Sequence, residues 1–469
     1  MFKHLFFDDQ RLYIRQGLVR EYGKPEVVGT FIDQNLTSPY GWCHAAIGLD
    51  GKVHLLYNGI ALDADGTPVH GFGAAISDDG VSFELRNTAA ESGFDHPLVP
   101  NQILPPSKNF SEIATMVEDK AAPPSERYKI LFANIISQEN DVHIEDEIHA
   151  SPDLIHWRKL PGCCWNPRGT EPIAGAFFNP VSGKFTILSR PDWGQRRVGI
   201  TETADWRYFT PLEMCMQCDS LDEPLAEVYG MPAMEYDGWF VGFPLIYSGF
   251  RQEMFTKYSS GTMCAQLAYS LNGHHWQRSL RTPFICGDAL PDGPWKMTFP
   301  SSMLRAKDGS VIIYVNASRL EHGTDGGKMI GNAEVKILRL REDGFIRLTA
   351  RGAEQGVVAL RDTLWQGGPL KINIHAKHAT CAIYKFNTKG REAWLSHEDC
   401  EPFSGDSTCW IPKWRNGSTD DLEGKMVIIE VRLQDGSLYS IAYEGLPLMN
   451  QEAGRYLRTG IAPTLPLGF

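Results

Sequence analysis

The sequence predicts an all-β protein: a five-bladed β-propeller over residues 1–350, followed by a β-sandwich and C-terminal tail over residues 351–469. A turn motif that recurs five times, 52 to 74 residues apart, predicts the propeller. Short hairpins run in phase with it, as expected for repeated four-stranded blades. Beyond residue 350 the motif stops and alternating strands follow with new spacing, which predicts the sandwich.

The turn motif consists of a Ser or Thr anchor, an Asp or Asn two positions later, and an aromatic residue six positions after the anchor. Such side-chain oxygens hydrogen-bond the backbone of a turn, and a large ring fills the space between packed sheets. We therefore interpret the motif as structural. The anchors are Ser77, Ser151, Thr203, Ser270 and Arg341, the turn residues are Asp79, Asp153, Asp205, Asn272 and Asp343, and the rings are Phe83, Trp157, Phe209 and Trp276, with Arg347 in the fifth copy.

The loops that follow the second strand of each predicted blade are long and chemically varied. Examples are "NGIALDADGTPVHG", "RPDWGQRR" and "ASRLEHGTDGGKMIG". Long loops on a rigid scaffold are the usual carriers of function. We therefore expect the main pocket at the end of the propeller axis that these loops surround, and not at the short hairpins containing Gly51, Gly183 and Gly309.

Charge and composition exclude several classes of partner. The net charge is −12 without a basic run, which argues against nucleic acid. No apolar run has membrane-spanning length, and the start "MFKHLFFDDQ" does not read as a secretory signal. Ten cysteines without framework spacing predict reduced thiols and a cytoplasmic location. Homo-oligomerisation is left open.

No metal or redox cofactor is expected. Cys215 and Cys218 form a lone C-x-x-C, whereas a zinc site needs a second pair and a redox site needs a thioredoxin-like context. A structural Ca²⁺ on the propeller axis is left open, because carboxylates are expected to converge there.

The residues that begin the innermost strands are predicted to point into the axial pocket. They are Tyr40, Trp42 and His44 in the first blade, Ser111 and Glu112 in the second, Glu171 in the third, Glu227 and Tyr229 in the fourth, and Lys296 and Thr298 in the fifth. Converging carboxyl groups beside aromatic rings are what cleavage of a glycosidic bond requires. The alternative is that one or more of these glutamates satisfy strand-end amides or bind a central ion.

Five blades followed by a sandwich resemble the fructan-active glycoside hydrolases of family 32, with families 43 and 68 as propeller relatives. The family's Arg-Asp-Pro motif corresponds to "GTEP", so the resemblance implies that Glu171 stabilises the transition state. Its Glu-Cys-Pro motif corresponds to "EVYGMP", which implies that Glu227 is the general acid. The Asn-Asp-Pro nucleophile has no counterpart in "LTSPYGWCHAA"; Asp33 is the nearest carboxylate and our choice of base or nucleophile, with Glu112 in reserve. The whole chain also resembles bacterial propeller proteins described as candidate glycosidases.

Three functions follow from this pattern. The first is hydrolysis of a small oligosaccharide or glycoside, including a furanoside or fructoside, without a catalytic contribution from the C-terminal sandwich. The second is a phosphorylase similar to family 130, with Arg190, Arg196, Arg197 or Lys296 holding phosphate. The third is a non-catalytic sugar-binding propeller. The predicted substrate-binding residues are Tyr40, Trp42, His44, Glu112, Arg190, Tyr229 and Lys296.

Overall fold

The structure is a computed structural model that describes residues 2–36, 42–138, 141–163, 175–191, 193–249, 261–323, 331–386 and 392–461. It is all-β, with a propeller-like arrangement of sheets. The chain divides into two compact units: Met1–Lys24 with Leu340–Phe469, and Pro25–Arg339. The predicted boundary at residue 350 placed the N-terminal segment in the propeller, whereas the structure groups its first 24 residues with the C-terminal unit.

Three four-stranded antiparallel sheets follow four N-terminal strands. The N-terminal strands are β1 (Phe2–Leu5), β2 (Leu12–Gln16), β3 (Val19–Tyr22) and β4 (Glu26–Phe31). Blade one contains β5 (Cys43–Ile47), β6 (Val53–Leu62), β7 (Pro68–Ser77) and β8 (Glu84–Leu85), followed by the short helix α1 (Thr88–Glu91). Blade two contains β9 (Phe110–Glu118), β10 (Tyr128–Gln138), β11 (Asp141–Ser151) and β12 (Arg158–Lys159). Blade three contains β13 (Gly175–Asn179), β14 (Lys184–Ser189), β15 (Val198–Thr203) and β16 (Glu213–Met216).

Ten strands complete this unit. They are β17 (Ala226–Gly230), β18 (Ala233–Tyr236), β19 (Trp239–Gly242), β20 (Leu245–Gly249), β21 (Gly261–Ala265), β22 (Ala268–Ser270), β23 (Gln277–Arg278), β24 (Met297–Arg305), β25 (Val311–Ser318) and β26 (Ala333–Leu340). Strands β18, β19, β22 and β23 form blade four. The other six join β4 in one seven-stranded sheet of order β17-β20-β21-β24-β25-β26-β4.

The described sheets therefore give four separate blades, and the predicted count of five is wrong. Pro232 and Pro244 divide the strands of the fourth repeat, because a proline has no N–H for the strand ladder. The upper halves β17, β20 and β21 then continue into the strands of the fifth repeat through one parallel pair, Met263 with Met297. The outer strand of that fifth set is β4, which pairs with β26.

Four copies of the turn motif have one hydrogen-bonding pattern, which confirms their structural role. The anchor hydroxyl accepts the backbone N–H three positions later at 2.9 Å in every copy. The Asp or Asn Oδ1 accepts the N–H groups two and three positions after it at 2.7–3.0 Å. The residue three positions after the anchor has φ between +61° and +74°. The fifth copy differs: Asp343 instead accepts from Lys3 and Ser440 within the C-terminal unit.

The motif rings fill the core between successive sheets, as predicted. Phe83 packs in the cluster that joins blade one to β25 and β26, and Trp157 packs between blades one and two. Phe209 packs between blades two and three, and Trp276 between blades three and four. Each ring thus contacts the sheet before its own, which fixes the spacing of neighbouring blades.

The C-terminal unit is one hydrogen-bonded network of ten strands. It adds β27 (Ile346–Leu360), β28 (Thr363–Trp365), β29 (Lys371–Lys385), β30 (Ala393–Leu395), β31 (Phe403–Trp410), β32 (Met426–Tyr443) and β33 (Gly445–Pro447) to the strands β1, β2 and β3. Because β27, β29 and β32 are long and pair with one another, two separate stacked sheets are not shown, and the sandwich stays a prediction. A ten-residue helix, α2 (Asn450–Thr459), ends the described chain and was not predicted.

Two further findings concern the expectations from composition. Cys264 and Cys286 are bonded as a disulfide, so the expectation that all ten cysteines are reduced does not agree with the structure. The contact arises because Ala265 and Ile285, beside the two cysteines, form a β-bridge. A helix of the length and apolar character needed to cross a membrane is absent from the described segments.

Candidate functional site

Side chains from six parts of the Pro25–Arg339 unit meet in one cluster. Its members are Trp42 before β5, Glu112 on β9, Arg190 and Arg196 in the loop after β14, Glu227 and Tyr229 on β17, Tyr247 on β20, and His322 in the loop after β25. We call this set the carboxyl–arginine cluster. It gathers the starts of predicted inner strands and two of the predicted long loops, as the sequence indicated.

Glu227 is bound by Arg196 through two hydrogen bonds. The guanidinium Nη1 donates to Oε2 at 2.6 Å, and the backbone N–H of Arg196 donates to Oε1 at 3.1 Å. Both groups are largely buried, with side-chain exposures of 17% and 15%. Both carboxyl oxygens of Glu227 therefore already accept a hydrogen bond from Arg196, and charge-assisted pairs of this kind hold a carboxyl group in place. This contact opposes the predicted role of Glu227 as a proton donor.

Tyr229 is the centre of the cluster. The guanidinium carbons of Arg190 and Arg196 lie 4.8 and 5.5 Å from its ring centroid, within cation–π range. Its hydroxyl lies 3.0 Å from His322 Nε2. Arg196 also lies 4.9 Å from the centroid of Tyr247. Two positive charges are thereby held beside one aromatic surface.

Glu112 is the buried carboxyl group of the cluster, 5% exposed. Burial raises its pKa to about 8, although the charge of Arg190 and a hydrogen bond from Trp42 act in the opposite direction. At neutral pH this carboxyl is therefore mostly protonated. A carboxyl group that stays protonated at neutral pH is what acid catalysis of glycoside cleavage requires.

Two predicted site residues have structural contacts instead. His44 is buried, and its Nε2 lies 3.0 Å from the carbonyl oxygen of Ile113, so it links β5 to β9. Burial lowers the pKa of His44 to about 4, so the ring is neutral. Asp33 Oδ2 accepts from Tyr57 at 2.7 Å and from Asn101 at 3.1 Å. Its described bonds lie within the blade-one region, and none joins it to the carboxyl–arginine cluster.

The remaining predicted residues have three outcomes. Trp42 lies in the cluster, with its ring 5.6 Å from Phe299. The side chain of Lys296 is exposed, and its described hydrogen bonds are made by its backbone N–H and carbonyl. Tyr40 and Glu171 lie outside the described residues. The roles predicted for those two stay predictions.

A large cavity lies at the other end of the innermost strands, whereas the main pocket was expected at the loop end. It encloses about 1120 Å³ and is lined by residues such as Ile47, Ala122, Phe178, Gly183 and Leu304. Small side chains such as Ala45 and Ala176 leave room there. At the loop end the ring of Phe299 packs against both Trp42 and Tyr229. A cavity of about 290 Å³ does border Arg196, Arg197 and Glu227.

Sequence reasoning did not single out Tyr247 or His322, and it missed Asp146 and Ser189 on blades two and three. His322 lies within a loop that had been marked as functional for its length, so a search of that loop for ring nitrogens would have found it. Tyr247 begins another of the long loops, "YSGFRQEMFTKYSSG", but nothing in that segment marks this ring among its other residues. Within the described segments no group of three or more His, Cys, Asp or Glu side chains is placed to hold a metal ion.

A scan against protein-family models and a search of curated proteins found no match. Similar solved structures include a candidate glycoside hydrolase from Parabacteroides distasonis, 15% identical with a TM-score of 0.43, covering 69% of this chain and 96% of that chain. A candidate glycosidase from Bacteroides thetaiotaomicron is also 15% identical, with a TM-score of 0.43 and coverages of 71% and 96%. A family 32 β-fructofuranosidase from Bombyx mori is 12% identical, with a TM-score of 0.39 and coverages of 90% and 93%. Similarities this weak carry no conclusion about the activity of this chain.

Proposed function

We propose that this chain is a carbohydrate-active enzyme that cleaves a glycosidic bond of a small oligosaccharide or glycoside at the carboxyl–arginine cluster. The observation that carries the proposal is the unequal state of its two carboxyl groups. Glu112 is buried with a pKa of about 8, whereas Glu227 is paired with Arg196. The two are connected through Arg190, Tyr229 and Arg196.

In this mechanism Glu112 is the general acid. Its proton passes to the oxygen of the departing sugar as the bond to the anomeric carbon breaks, which neutralises the leaving group. Glu227 stabilises the positive charge that develops on the sugar ring. A water molecule then adds to the anomeric carbon and gives its proton to the Glu112 carboxylate, which restores the acid. The cavity of about 290 Å³ that borders Arg196 and Glu227 is where the sugar enters the cluster. These roles replace the predicted assignment of Glu227 as the acid.

Hydrolysis is the leading reaction, and a furanoside or fructoside is the sugar class that the family 32 resemblance favours. Phosphorolysis is the second candidate, because Arg190 and Arg196 place two guanidinium groups over one ring. Guanidinium groups bind phosphate oxygens with paired hydrogen bonds. In that case phosphate attacks the anomeric carbon, and the product is a sugar 1-phosphate.

The test compares wild-type protein with Glu112→Gln on a panel of oligosaccharides and aryl glycosides, with and without inorganic phosphate. We expect turnover of the oligosaccharide to fall by about 10²-fold or more in the variant. The aryl glycoside needs little protonation of its leaving group and should lose much less. Glu118→Gln, on the same strand and paired with Arg127, is the matched control. Equal losses on both substrates would remove Glu112 from the acid role. Product formation that requires phosphate would select phosphorolysis, and saturable sugar binding without any product would leave a binding protein.

A further inference from the structure

Three residues of blade two form one row across the sheet. Ala133 on β10 is paired directly with Glu112 on β9 and with Asp146 on β11. Directly paired residues of antiparallel strands point to the same face of a sheet. Since neighbouring strands lie about 4.8 Å apart, the Cα atoms of Glu112 and Asp146 are separated by about 10 Å.

This row faces blade three. Leu131 lies two positions from Ala133 on β10, and Ile148 lies two positions from Asp146 on β11. Both pack in one apolar cluster with Phe185 and Ile187 of β14. Side chains two positions apart on a strand share a face. By the same alternation Ser189, two positions after Ile187, faces blade two. Above the apolar layer between these two blades lies a polar layer, which we define as Glu112, Asp146 and Ser189.

The side chains of two members of the polar layer have no hydrogen-bond partner among the residues that the structure describes. Asp146 is 7% exposed, and within the described chain neither of its carboxyl oxygens has a hydrogen-bond partner. The hydroxyl of Ser189, 2% exposed, also has none among the described residues. A buried polar group without a partner costs about 1–3 kcal/mol, and native proteins retain few of them. Three such atoms on facing blades therefore point to a ligand that supplies the missing bonds.

We propose that Asp146 is a sugar-binding residue, and that its carboxyl group and the hydroxyl of Ser189 hold the sugar unit next to the bond that is cleaved at Glu112. This inference rests on the proposed function. Asp146 lies in the same row as Glu112, with about 10 Å between their Cα atoms, so it can contact a sugar unit next to the one at Glu112. Burial raises the pKa of Asp146 to about 8. The carboxyl is then protonated at neutral pH, so it donates one hydrogen bond and accepts others, as a sugar hydroxyl does.

A cation is the less suitable ligand. A cation requires ionised ligands, and the described residues around Asp146 supply no cluster of three acidic or histidine side chains. The hydroxyl of Ser189 is a further neutral group. A neutral donor and acceptor pair matches a polyhydroxylated ligand.

The experiment measures binding in Asp146→Asn and Asp146→Leu. The probes are the disaccharides and methyl glycosides of mannose, fructose, glucose, galactose and arabinose, titrated by calorimetry into protein carrying Glu112→Gln to suppress turnover. For the disaccharide that binds, we expect the Kd to rise 10-fold or more in Asp146→Leu and to change less than about threefold in Asp146→Asn, which keeps a neutral donor and acceptor. The matching methyl glycoside should bind both variants alike. Glu145→Gln, an exposed neighbour on β11, is the control.

The thermal midpoint gives a second readout. Asp146→Leu removes an unpartnered buried carboxyl, so its Tm should be equal to or above that of the parent. Disaccharide binding that is unchanged in a folded Asp146→Leu protein would overturn the inference. If that variant does not fold, the ¹³C-carboxyl resonance of Asp146 in the parent decides: it should shift when disaccharide is added, and an unmoved signal overturns the inference.

The inference and the proposed function fail separately. Disaccharide binding through Asp146 without cleavage by the wild-type protein removes the proposed reaction and leaves the sugar site. Cleavage that is insensitive to Asp146→Leu, with unchanged KM, removes the sugar site and leaves the reaction. Absence of binding by every disaccharide of the panel removes the sugar site.

Discussion

Replacing Glu112 by Gln should change the pH dependence of stability as well as catalysis. Its pKa is raised from 4.5 to about 8 in the folded protein because burial disfavours the charged form. A group with a raised folded pKa contributes its full stability below the unfolded value and loses it as pH rises through the folded value. The wild-type protein should therefore become less stable between about pH 5 and pH 9.

The size of the effect follows from the two pKa values. Each pKa unit corresponds to about 1.36 kcal/mol, and the linkage expression gives a cost of about 1 kcal/mol at pH 5 and about 5 kcal/mol at pH 9. The free energy of unfolding should thus fall by about 4 kcal/mol over this range on account of Glu112. This is an upper bound, since relaxation and entry of water lower the cost of burying the charge. Glu112→Gln has no such titration and should lose that part of the slope.

The assay is urea unfolding of both proteins at several pH values from 5 to 9, followed by tryptophan fluorescence. The difference between the two proteins isolates Glu112, because any titration of Asp146 is common to both. Glu118→Gln should retain the wild-type slope, since its carboxylate is part-exposed and pairs with Arg127. Identical slopes for wild type and Glu112→Gln would refute the burial of this carboxyl and, with it, the argument for a general acid.

Three further changes test other contacts. Arg196→Met should lower kcat/KM by about 10²-fold or more, because a preorganised charge is removed from the cluster, and should also lower stability, because the largely buried Glu227 loses its charged partner. Arg197→Met should retain activity within about threefold; kinetics on the best substrate decides, and similar losses in both would contradict the role of Arg196. Ser151→Ala should lower the free energy of unfolding by about 1 kcal/mol, since its hydroxyl accepts backbone N–H groups in the turn; urea unfolding measures this, and no change would show that the turn holds without the anchor. Trp206→Phe should cost about 1–3 kcal/mol, because the indole N–H donates to the buried Asp119 carboxylate at 2.9 Å, and an unaltered Tm would contradict that bond.

The propeller repeat was readable from sequence because its turn chemistry is local. A Ser hydroxyl and an Asp carboxylate two positions apart satisfy neighbouring N–H groups without help from distant parts of the chain. The blade count failed where the decisive contacts are distant. Sheets merge through the pairing of Met263 with Met297 and through the pairing of β4 with β26. The sequence around Arg341, the anchor of the fifth motif copy, predicts neither pairing.

The candidate site was predicted in part. Strand starts gave Trp42, Glu112 and Tyr229, and loop length gave the arginines, since topology brings both to one end of the inner strands. The roles of the two glutamates could not be predicted, because they depend on contacts between distant parts of the chain. Those contacts are the pairing of Arg196 with Glu227 and the burial of Glu112. Asp146 was not singled out because its segment was predicted to be one of the long loops, whereas the structure makes it part of strand β11, in which every second residue points to the same face.

The pairing of β4 with β26 joins residues such as Phe31 and Val335, which are about 300 positions apart in the chain. During synthesis, strand β4 cannot pair with β26 until almost the whole Pro25–Arg339 unit has left the ribosome. Contacts of such large sequence separation slow folding, and an unpaired edge strand is prone to pair with another chain. The protein should therefore be most exposed to aggregation late in its synthesis, and moderate expression temperature should raise the soluble yield more than a change of buffer does.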